Sequence, residues 1–158
     1  MYERILVPLD GSKVGEAALP YVEELVSKLS PKVKVEVTLL QVVSLLTHYV
    51  VAGEASVSVP YTEKEVEQIE KKAKGYLDEI GKGLRSKRAI VKVRVGTGNA
   101  AEAIIKAADE IDADLIAMST HGRSGISRWA FGSVTDRVLR GGNKPVLVVR
   151  APKKAAQT

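Results

Sequence analysis

Five short apolar runs recur along the chain, and segments with helical periodicity lie between most of them. The runs are "RILVPLD", "VKVEVTLLQVV", "AIVKVRV", "ADLIAMS" and "PVLVV". Largely apolar runs are typical of strands in a sheet whose two faces are covered, and helical crossovers make such strands parallel. The pattern therefore predicts an α/β fold with an open five-stranded parallel sheet and helices on both faces. In such sheets, ligands bind beyond the carboxyl ends of the strands, where the strand order reverses.

Segments between these runs have apolar residues at spacings of three and four, as one face of a helix requires. Residues 13–29 form the first predicted helix, although Pro20 would kink it or delay its start. Thr62 and Glu65 have the spacing of a capping box, and the apolar face of a long second helix continues from there to Leu84.

The chain length fits one domain with a single core. Its 158 residues are close to the usual size of a domain, so we assign residues 1–150 to one domain. The last residues, "APKKAAQT" at 151–158, are typical of a flexible tail. Residues 44–61 connect the second apolar run to the second predicted helix, and many of them are of types that favour strands. They fit either a lid or a short hairpin.

Charge and composition argue against several classes of partner. The formal net charge is +5, but basic and acidic residues are interleaved, as in "EKEVEQIEKKAKGYLDEIGK", which is typical of a solvated helix surface. One Trp, five Tyr and one Phe offer few stacking platforms for single-stranded nucleic acid. No apolar stretch approaches the ~20 residues of a membrane span, and the N-terminus lacks the pattern of a secretory signal. The missing signal and the absence of cysteine favour a cytoplasmic protein. From its charge pattern, its few aromatic residues and its short apolar runs, we expect it to bind neither nucleic acid nor membranes.

Two glycine motifs that bind phosphates are absent or incomplete. The Walker motif G-x-x-x-x-G-K-[ST] does not occur. The sequence "GTGNAA", residues 96–101, matches the dinucleotide motif G-x-G-x-x-A, but no acidic residue ends the next strand. Asn99 and Glu102 have the spacing that caps a helix, so the start of a third helix is the favoured interpretation.

The stretch "MSTHGRSGISRWAFGSVTDRVLR" places glycines, hydroxyls and arginines between the last two apolar runs. Gly122 and Gly132 let backbone N–H groups approach an anion closely, because no Cβ stands in the way. Ser133 begins a helical segment whose free N–H groups and positive dipole end attract negative charge, and Thr135 adds a hydroxyl. From the residues alone, a phosphate site and a simple helix start, with Ser133 and Asp136 as a capping box, fit about equally well.

Three parts of the chain resemble the universal stress protein family, and together they cover nearly its whole length. They are "ILVPLDGS" near the N-terminus, "LLQVV" in the second run, and "MSTHGRSGISRWAFGSVTDRVLR" with the following "KPVLVV". The nucleotide-binding branch of that family has the motif G-x-x-G-x9-G-[ST]. Gly122, nine intervening residues, Gly132 and Ser133 reproduce its second part, whereas Ser119 stands where the first glycine would be.

The resemblance implies the strand order 3-2-1-4-5, with ATP and Mg²⁺ or Mn²⁺ bound across the switch point. Pro8 and Asp10 would lie by the adenosine, with Asp10 a partner for ribose hydroxyls or the metal ion. Val42 and Met118 would border the adenine, although both also fit as ordinary core residues at strand ends. The implied ribose and phosphate contacts are Ser119, Gly122, Gly132, Ser133, Val134 and Thr135. Arg123 is a further candidate for pairing with the phosphates, although an ordinary surface arginine is the favoured interpretation.

The resemblance implies a stress-response regulator that binds ATP, and two other functions stay open. One is a family member that acts through protein partners without nucleotide, and the other is an enzyme that hydrolyses ATP slowly. No catalytic residue is predicted, because no motif places a carboxylate or a serine beside His121. Residues 145–149 are apolar on both faces yet lie at a sheet edge in the implied order, so we expect a homodimer through this strand.

Overall fold

The computed structural model describes residues 2–29, 31–44, 48–121 and 132–151. Its strands are β1 (Arg4–Leu9), β2 (Glu36–Val43), β3 (His48–Ala52), β4 (Ala55–Val59), β5 (Ile90–Thr97), β6 (Leu115–Ser119) and β7 (Val146–Val149). Five of them form a parallel sheet in the order β5-β2-β1-β6-β7, and β3 and β4 form a separate antiparallel pair. Counted among the sheet strands alone, this is the expected order 3-2-1-4-5, and the predicted fold class is confirmed.

The described α-helices are α1 (Leu19–Leu29), α2 (Glu63–Ser86), α3 (Ala100–Glu110) and α4 (Ser133–Gly141). A 3₁₀ helix, Val14–Ala18, precedes α1. Of the two effects expected of Pro20 on a helix over 13–29, the structure shows the delayed start, because the α-helix begins only at Leu19. Pro20 is in the first turn of α1, where the missing N–H has no helical partner to lose.

Two predicted helix caps are present. Thr62 Oγ1 accepts a hydrogen bond from Glu65 N–H at 3.3 Å, and the Glu65 carboxylate accepts one from Thr62 N–H at 2.8 Å. Asn99 Oδ1 accepts a hydrogen bond from Glu102 N–H at 3.1 Å. These caps determine where α2 and α3 begin, and they place the first turn of α3 beside the carboxyl ends of the strands.

The core has two layers, one on each face of the sheet. Alternate residues of β1 point to opposite faces, with Ile5 and Val7 in one layer and Leu6 in the other. Their helical partners include Val22, Val26, Leu77 and Leu84 of α1 and α2 in the first layer, and Ile104, Ala107, Ala108 and Val138 of α3 and α4 in the second. Helices thus cover both faces, which leaves the strand ends and the sheet edges accessible.

An ion-pair network crosses the amino-terminal edge of the sheet. Asp112, in the turn after α3, pairs with Arg4 of β1 at 3.1 Å and with Lys144 before β7 at 2.7 Å. Lys144 first, and Arg4 after it, hold the pKa of the Asp112 carboxyl below its ordinary value. Because the Asp112 side chain is 68% exposed, water screens these pairs, and the buried strands do more to hold this edge together.

Residues 44–61 contain a short hairpin, one of the two alternatives for this segment. The two residues Gly53 and Glu54 join β3 to β4, and Gly53 has a φ of +67°. A positive φ at the first turn position is what a type II′ hairpin turn needs, and glycine adopts it without strain. The turn sets the register in which Val50 faces Val57.

Other expectations meet the structure only in part. Of the expected tail at 151–158, only Ala151 is within the described residues. The assignment of residues 1–150 to one domain stays a prediction. In the described ranges, no helix combines the length and the apolar character that crossing a bilayer requires.

Thr38 provides a test of how the second core layer is built. Thr38 is 3% exposed, and its hydroxyl has no hydrogen-bond partner among the described residues. A buried hydroxyl without a partner costs about 1–3 kcal/mol, so Thr38→Val, which keeps the shape, should raise the free energy of unfolding by about 1 kcal/mol. Val37→Thr, the reverse change at the neighbouring buried residue, should lower it. Urea unfolding measures both, and a Thr38→Val variant less stable than wild type would contradict the prediction.

Candidate functional site

A cavity of about 210 Å³ lies at the carboxyl ends of β1, β2 and β6, next to the first turn of α4. Since β1 lies between β2 and β6 in the sheet, the cavity is at the point where the strand order reverses. This is the place at which the predicted fold class binds ligands. The wall has an apolar part, from β2, α3 and β6, and a polar part, from α4 and the loop after β1.

Every sequence-predicted site residue that the structure describes lines this cavity. These residues are Pro8, Asp10, Val42, Met118, Ser119, Gly132, Ser133, Val134 and Thr135. Gly122 and Arg123, the other two predicted contacts, lie outside the described residues. The lining also includes Leu9, Gly15, Leu40, Ala100 and Ile104, which the sequence analysis did not assign to the site. The residues selected by resemblance thus converge in space, and their contacts with a ligand stay predictions.

The apolar part of the wall is built from core positions at the ends of regular elements. Leu40 and Val42 project from the same face of β2, and Met118 of β6 and Ile104 of α3 belong to the same core layer. Leu40 and Ile104 could have been found from sequence, because strand alternation pairs Leu40 with Val42 and helical spacing puts Ile104 on the inner face of α3. An apolar wall of this kind accommodates a flat aromatic ring better than a charged group.

The polar part of the wall is the first turn of α4. Gly132 is the N-cap, and the first hydrogen bond of the helix runs from Asp136 N–H to the Gly132 carbonyl. The N–H groups of residues 133–135 therefore have no partner within the helix. They lie at its positive dipole end, where a negative charge is stabilised.

The structure excludes the alternative in which Ser133 caps the helix together with Asp136. The N-cap position belongs to Gly132, which has no side chain, and Ser133 is the first helical residue. The Asp136 carboxylate instead accepts hydrogen bonds from Arg140 Nε, at 2.9 and 3.1 Å to its two oxygens. Among the described residues, no side chain caps the first turn of α4, and a bound anion could take the place of a cap.

Hydrogen bonds join the end of β6 to the start of α4. Buried Thr135 donates from Oγ1 to the Ser119 carbonyl at 2.9 Å, and Gly132 N–H donates to the Thr120 carbonyl at 2.7 Å. Ser119 Oγ donates to the His121 carbonyl at 2.6 Å, so the hydroxyl at the position of the motif's first glycine is used within the protein. A Cβ built on Gly132 would lie 2.7 Å from the Thr120 carbonyl oxygen. The fold itself therefore requires glycine at position 132, with or without a ligand.

The loop after β1 holds the carboxylate of Asp10 at the cavity. Asp10 Oδ1 accepts hydrogen bonds from Ser12 N–H at 2.9 Å and from Ser12 Oγ at 2.5 Å. Ser12 Oγ in turn accepts one from Gly15 N–H at 3.0 Å. A Cβ on Gly15 would lie only 2.4 Å from Asp10 Oδ1, so the loop closes around the carboxylate only with glycine there. The direction of this carboxylate is thus set before any ligand binds.

Asp10 is the only acidic residue among the described residues that line the cavity. Within the described part of the chain, no group of three or more His, Cys, Asp or Glu side chains is arranged to hold a metal ion. A single carboxylate suits Mg²⁺ or Mn²⁺ when phosphate oxygens and water complete the octahedral shell. The predicted metal contact of Asp10 therefore depends on a phosphate-bearing ligand.

His121 lies beside the polar part of the wall. Its ring Nδ1 is buried and has no hydrogen-bond partner among the described residues. This nitrogen would be 3.5 Å from a Cβ on Gly132. A histidine that acts as a general base is usually oriented by a second group, and none of the described residues does so through Nδ1. The structure thus adds no support for a catalytic role of His121.

The fold and the cavity define a doubly wound α/β domain whose candidate binding site is at the switch point of the sheet. Residues 1–150 match the model of the universal stress protein family, and the chain belongs to that family. Two curated relatives come from Methanocaldococcus jannaschii. Universal stress protein MJ0577 is 33% identical over 95% of this chain and 96% of its own length, and MJ0531 is 30% identical over 98% and 85%.

Solved structures of the family share this fold. The structure of MJ0577 aligns with a TM-score of 0.71 at 27% identity, covering 97% of this chain and 99% of that one. A universal stress protein in complex with cAMP aligns with a TM-score of 0.63 at 20% identity, covering 94% and 97%. An Arabidopsis thaliana member with AMP bound aligns with a TM-score of 0.62 at 12% identity, covering 96% and 93%. At these last two identities the likeness concerns the fold.

Replacing Thr135 tests the connection between β6 and α4. Thr135→Val removes the Oγ1 donor and leaves the buried Ser119 carbonyl without that hydrogen bond, so the free energy of unfolding should fall by about 1–3 kcal/mol. Thr135→Ser keeps the hydroxyl and loses one methyl group, which should cost about 1 kcal/mol or less. Urea unfolding compares the two variants. Equal losses in both would show that the hydrogen bond does not hold α4 in place.

Proposed function

We propose that this chain is a stress-response regulator that binds ATP, with Mg²⁺ or Mn²⁺, in the cavity at the carboxyl ends of β1, β2 and β6. The observation that carries the proposal is that all nine described residues selected by the family resemblance line one cavity. The cAMP and AMP bound by two structural neighbours support a nucleotide as the class of ligand. The apolar part of the wall fits the base, the first turn of α4 fits the phosphates, and Asp10 in the loop after β1 fits the metal ion.

The apolar part of the wall fits the adenine ring beside Val42. At this end of the sheet β2 extends beyond β1, because Leu9 is the last residue of β1 and pairs with Gln41. Glu36 N–H donates to the Glu3 carbonyl, so the even-numbered residues of β2 direct their backbone groups to the β1 side. The Val42 carbonyl then faces the open space past the end of β1. There it would accept a hydrogen bond from the adenine amino group and repel the 6-oxo group of guanine.

The first turn of α4 fits the phosphates. Its N–H groups at residues 133–135, which have no partner within the helix, and its positive dipole end stabilise an anion, and the exposed Ser133 hydroxyl adds a donor. A divalent ion between the phosphates and Asp10 would offset the repulsion between these negative charges. The contacts of Gly122 and Arg123 with the phosphates stay predictions.

We expect binding without rapid turnover. Hydrolysis of ATP needs a group that positions or deprotonates the attacking water. Among the described lining residues, Asp10 is the only acidic side chain, and Ser12 already engages its Oδ1. This arrangement supports a regulator that senses or holds ATP over an enzyme that consumes it.

We also infer a homodimer through β7, the strand expected at residues 145–149. Among the described strands, β7 has a neighbour on one side only, and the carbonyls of Pro145 and Val149 accept hydrogen bonds from the β6 side. Backbone direction alternates along a strand, so the N–H and C=O groups of Val146 and Val148 face the open edge. No charged residue of β7 protects this edge, and pairing with β7 of a second copy would satisfy those groups.

ATP should stabilise the protein against heat. A ligand at about a hundred times its dissociation constant stabilises a fold by about 2.7 kcal/mol, which raises the melting temperature of a domain of this size by several degrees. We expect ATP with Mg²⁺ or Mn²⁺ to give the largest shift in a thermal scan, with smaller shifts for AMP and GTP. A phosphate-release assay should show turnover well below ~1 s⁻¹. The absence of a shift with any adenine nucleotide would favour the function through protein partners alone.

Ser133→Asp separates phosphate binding from folding. A carboxylate in the first turn of α4 interacts favourably with the helix dipole, so the variant should be at least as stable as wild type. The same charge repels phosphates, so the ATP affinity should fall by about tenfold or more, while adenosine should bind unchanged. Ser133→Ala, which removes only the hydroxyl, should have a smaller effect. Equal ATP affinity in Ser133→Asp and wild type would contradict a phosphate site at α4.

Val148→Pro should weaken the dimer without unfolding the chain. Proline removes an N–H that faces the open edge of β7, not one that bonds to β6. Light scattering at concentrations of roughly tens of micromolar should show a wild-type dimer and a variant monomer. Leu147→Pro, which removes an N–H on the β6 side, should destabilise the fold itself and serves as the comparison. A monomeric wild type at these concentrations would contradict the dimer.

A further inference from the structure

The β3–β4 hairpin is the described part of the chain with the least support from the rest of the fold. β3 and β4 pair only with each other, and no residue of theirs belongs to the two described core layers. Tyr49 is 79% exposed and Val51 is 76% exposed, and Val50 and Val57 are exposed as well. A lone two-stranded hairpin is marginally stable in water. This one therefore presents apolar side chains and strand edges that a further strand would cover.

Neither strand of the hairpin has charged residues of the kind that protect the β5 edge of the main sheet from pairing. The strand sequences "HYVVA" and "ASVSV" contain no Lys, Arg, Asp, Glu or Pro. In contrast, β5, an edge strand of the main sheet, has Lys92 and Arg94, which pair with Glu36 and Glu110. In this respect the hairpin resembles β7, the other edge strand of the main sheet, which has no charged residue either. Such an edge is a site for strand addition.

The turn determines which backbone groups of β3 face outward. In a hairpin with a two-residue turn, the flanking residues Ala52 and Ala55 form a hydrogen-bonded pair, and the pattern then alternates along the strands. Val50 therefore bonds to β4, whereas the N–H and C=O groups of Tyr49 and Val51 point to the outer edge of β3. These two residues are also the most exposed apolar residues of the hairpin.

We propose that the outer edge of β3 pairs antiparallel with the same edge of a second copy of this chain, about a two-fold axis at Val50. In this register Tyr49 lies opposite the partner subunit's Val51, and the two residues exchange backbone hydrogen bonds. An aromatic residue opposite a β-branched one is a favourable cross-strand pair. The two hairpins then form a four-stranded sheet, which has enough strands for stability of its own.

A second copy fits this edge better than a partner of different charge. Each chain has a net charge of +5, so two copies repel each other least where the surfaces that meet have no charge, and β3 has none. An anionic partner would need Lys or Arg at the edge, and the sequences of β3 and β4 contain neither. Self-pairing about a two-fold axis makes each Tyr49–Val51 contact twice. One strand pair buries less than the ~800 Å² per partner of a standard interface, so the contact depends on concentration.

The hairpin and β7 are separate edges, so using both builds more than a dimer. Two different two-fold contacts on one chain close into a tetramer when their axes intersect suitably, and otherwise they extend as a filament. The hairpin contact itself does not require the pairing of β7 or the binding of ATP. Its test can therefore succeed or fail independently of the function proposed above.

Single cysteines test the register directly, because the chain contains no cysteine. In the proposed pairing, the two copies of Val50 form a non-hydrogen-bonded pair with Cα atoms ~4.5 Å apart, within disulfide range. Val50→Cys should cross-link full-length chains under mild oxidation about tenfold faster than Val57→Cys, its similarly exposed neighbour on β4. Non-reducing electrophoresis measures both rates. Equal rates, faster cross-linking of Val57→Cys, or no cross-link in either variant overturns the proposal.

Proline variants give a second, non-covalent measurement. Val51→Pro removes an outward N–H from β3 and leaves the hairpin ladder intact, and Ser56→Pro, opposite it, removes an outward N–H from β4. Both are made in a Val148→Pro chain, in which β7 is blocked. Sedimentation velocity up to hundreds of micromolar should show self-association that Val51→Pro abolishes and Ser56→Pro retains. Association that survives Val51→Pro, is lost equally in both variants, or is absent from the Val148→Pro chain overturns the proposal.

Discussion

The pairing of β1 on both of its sides determines where the rest of the domain lies. β1 bonds to β2 on one side and β6 on the other, and Ile5, Leu6 and Val7 are fully buried. The helices that follow toward β2 and β5 cover one face of the sheet, and α3 and α4 cover the other. Crossover connections between parallel strands are right-handed. Connections that lead to strands on one side of β1 therefore cover one face of the sheet, and connections that lead to strands on the other side cover the opposite face. The crevice between them results from topology, before any side chain in it is chosen.

Local patterns predicted the regular elements, while contacts distant in sequence decided the rest of the fold. Thr62 and Asn99 were recognisable as caps because a cap and its partner are three residues apart. The 3₁₀ helix at Val14–Ala18 was missed because one turn has too few residues to separate a period of 3.0 from one of 3.6. Strand order came from the family resemblance, since periodicity does not indicate which strands become neighbours.

The residues of the candidate site that belong to a sequence motif were predictable. Residues that reach the site only because the fold brings them close to it were less predictable. Leu40 and Ile104 carry a core signal that does not tell a cavity wall from a filled interior. Gly15 has no signal, because its role is the close approach of the Asp10 carboxylate five residues earlier in the loop. The Ser133–Asp136 spacing fitted a capping box as well as it fitted a phosphate site, but the helix begins one residue earlier, where Gly132 N–H donates to the Thr120 carbonyl.

The contacts between β6 and α4 also affect how strongly a ligand can bind at the start of α4. Through the hydrogen bonds of Thr135 and Gly132, the two ends of the segment 122–131 are held together by residues outside it. Closing a loop costs conformational entropy that grows only with the logarithm of its length, about 0.6 kcal/mol for each doubling. That entropy is lost when the chain folds, so a ligand at α4 does not bear the cost. The anion-binding end of α4 is therefore held beside β6 before a ligand arrives, and the free energy of ligand binding is not reduced by the closure of this segment.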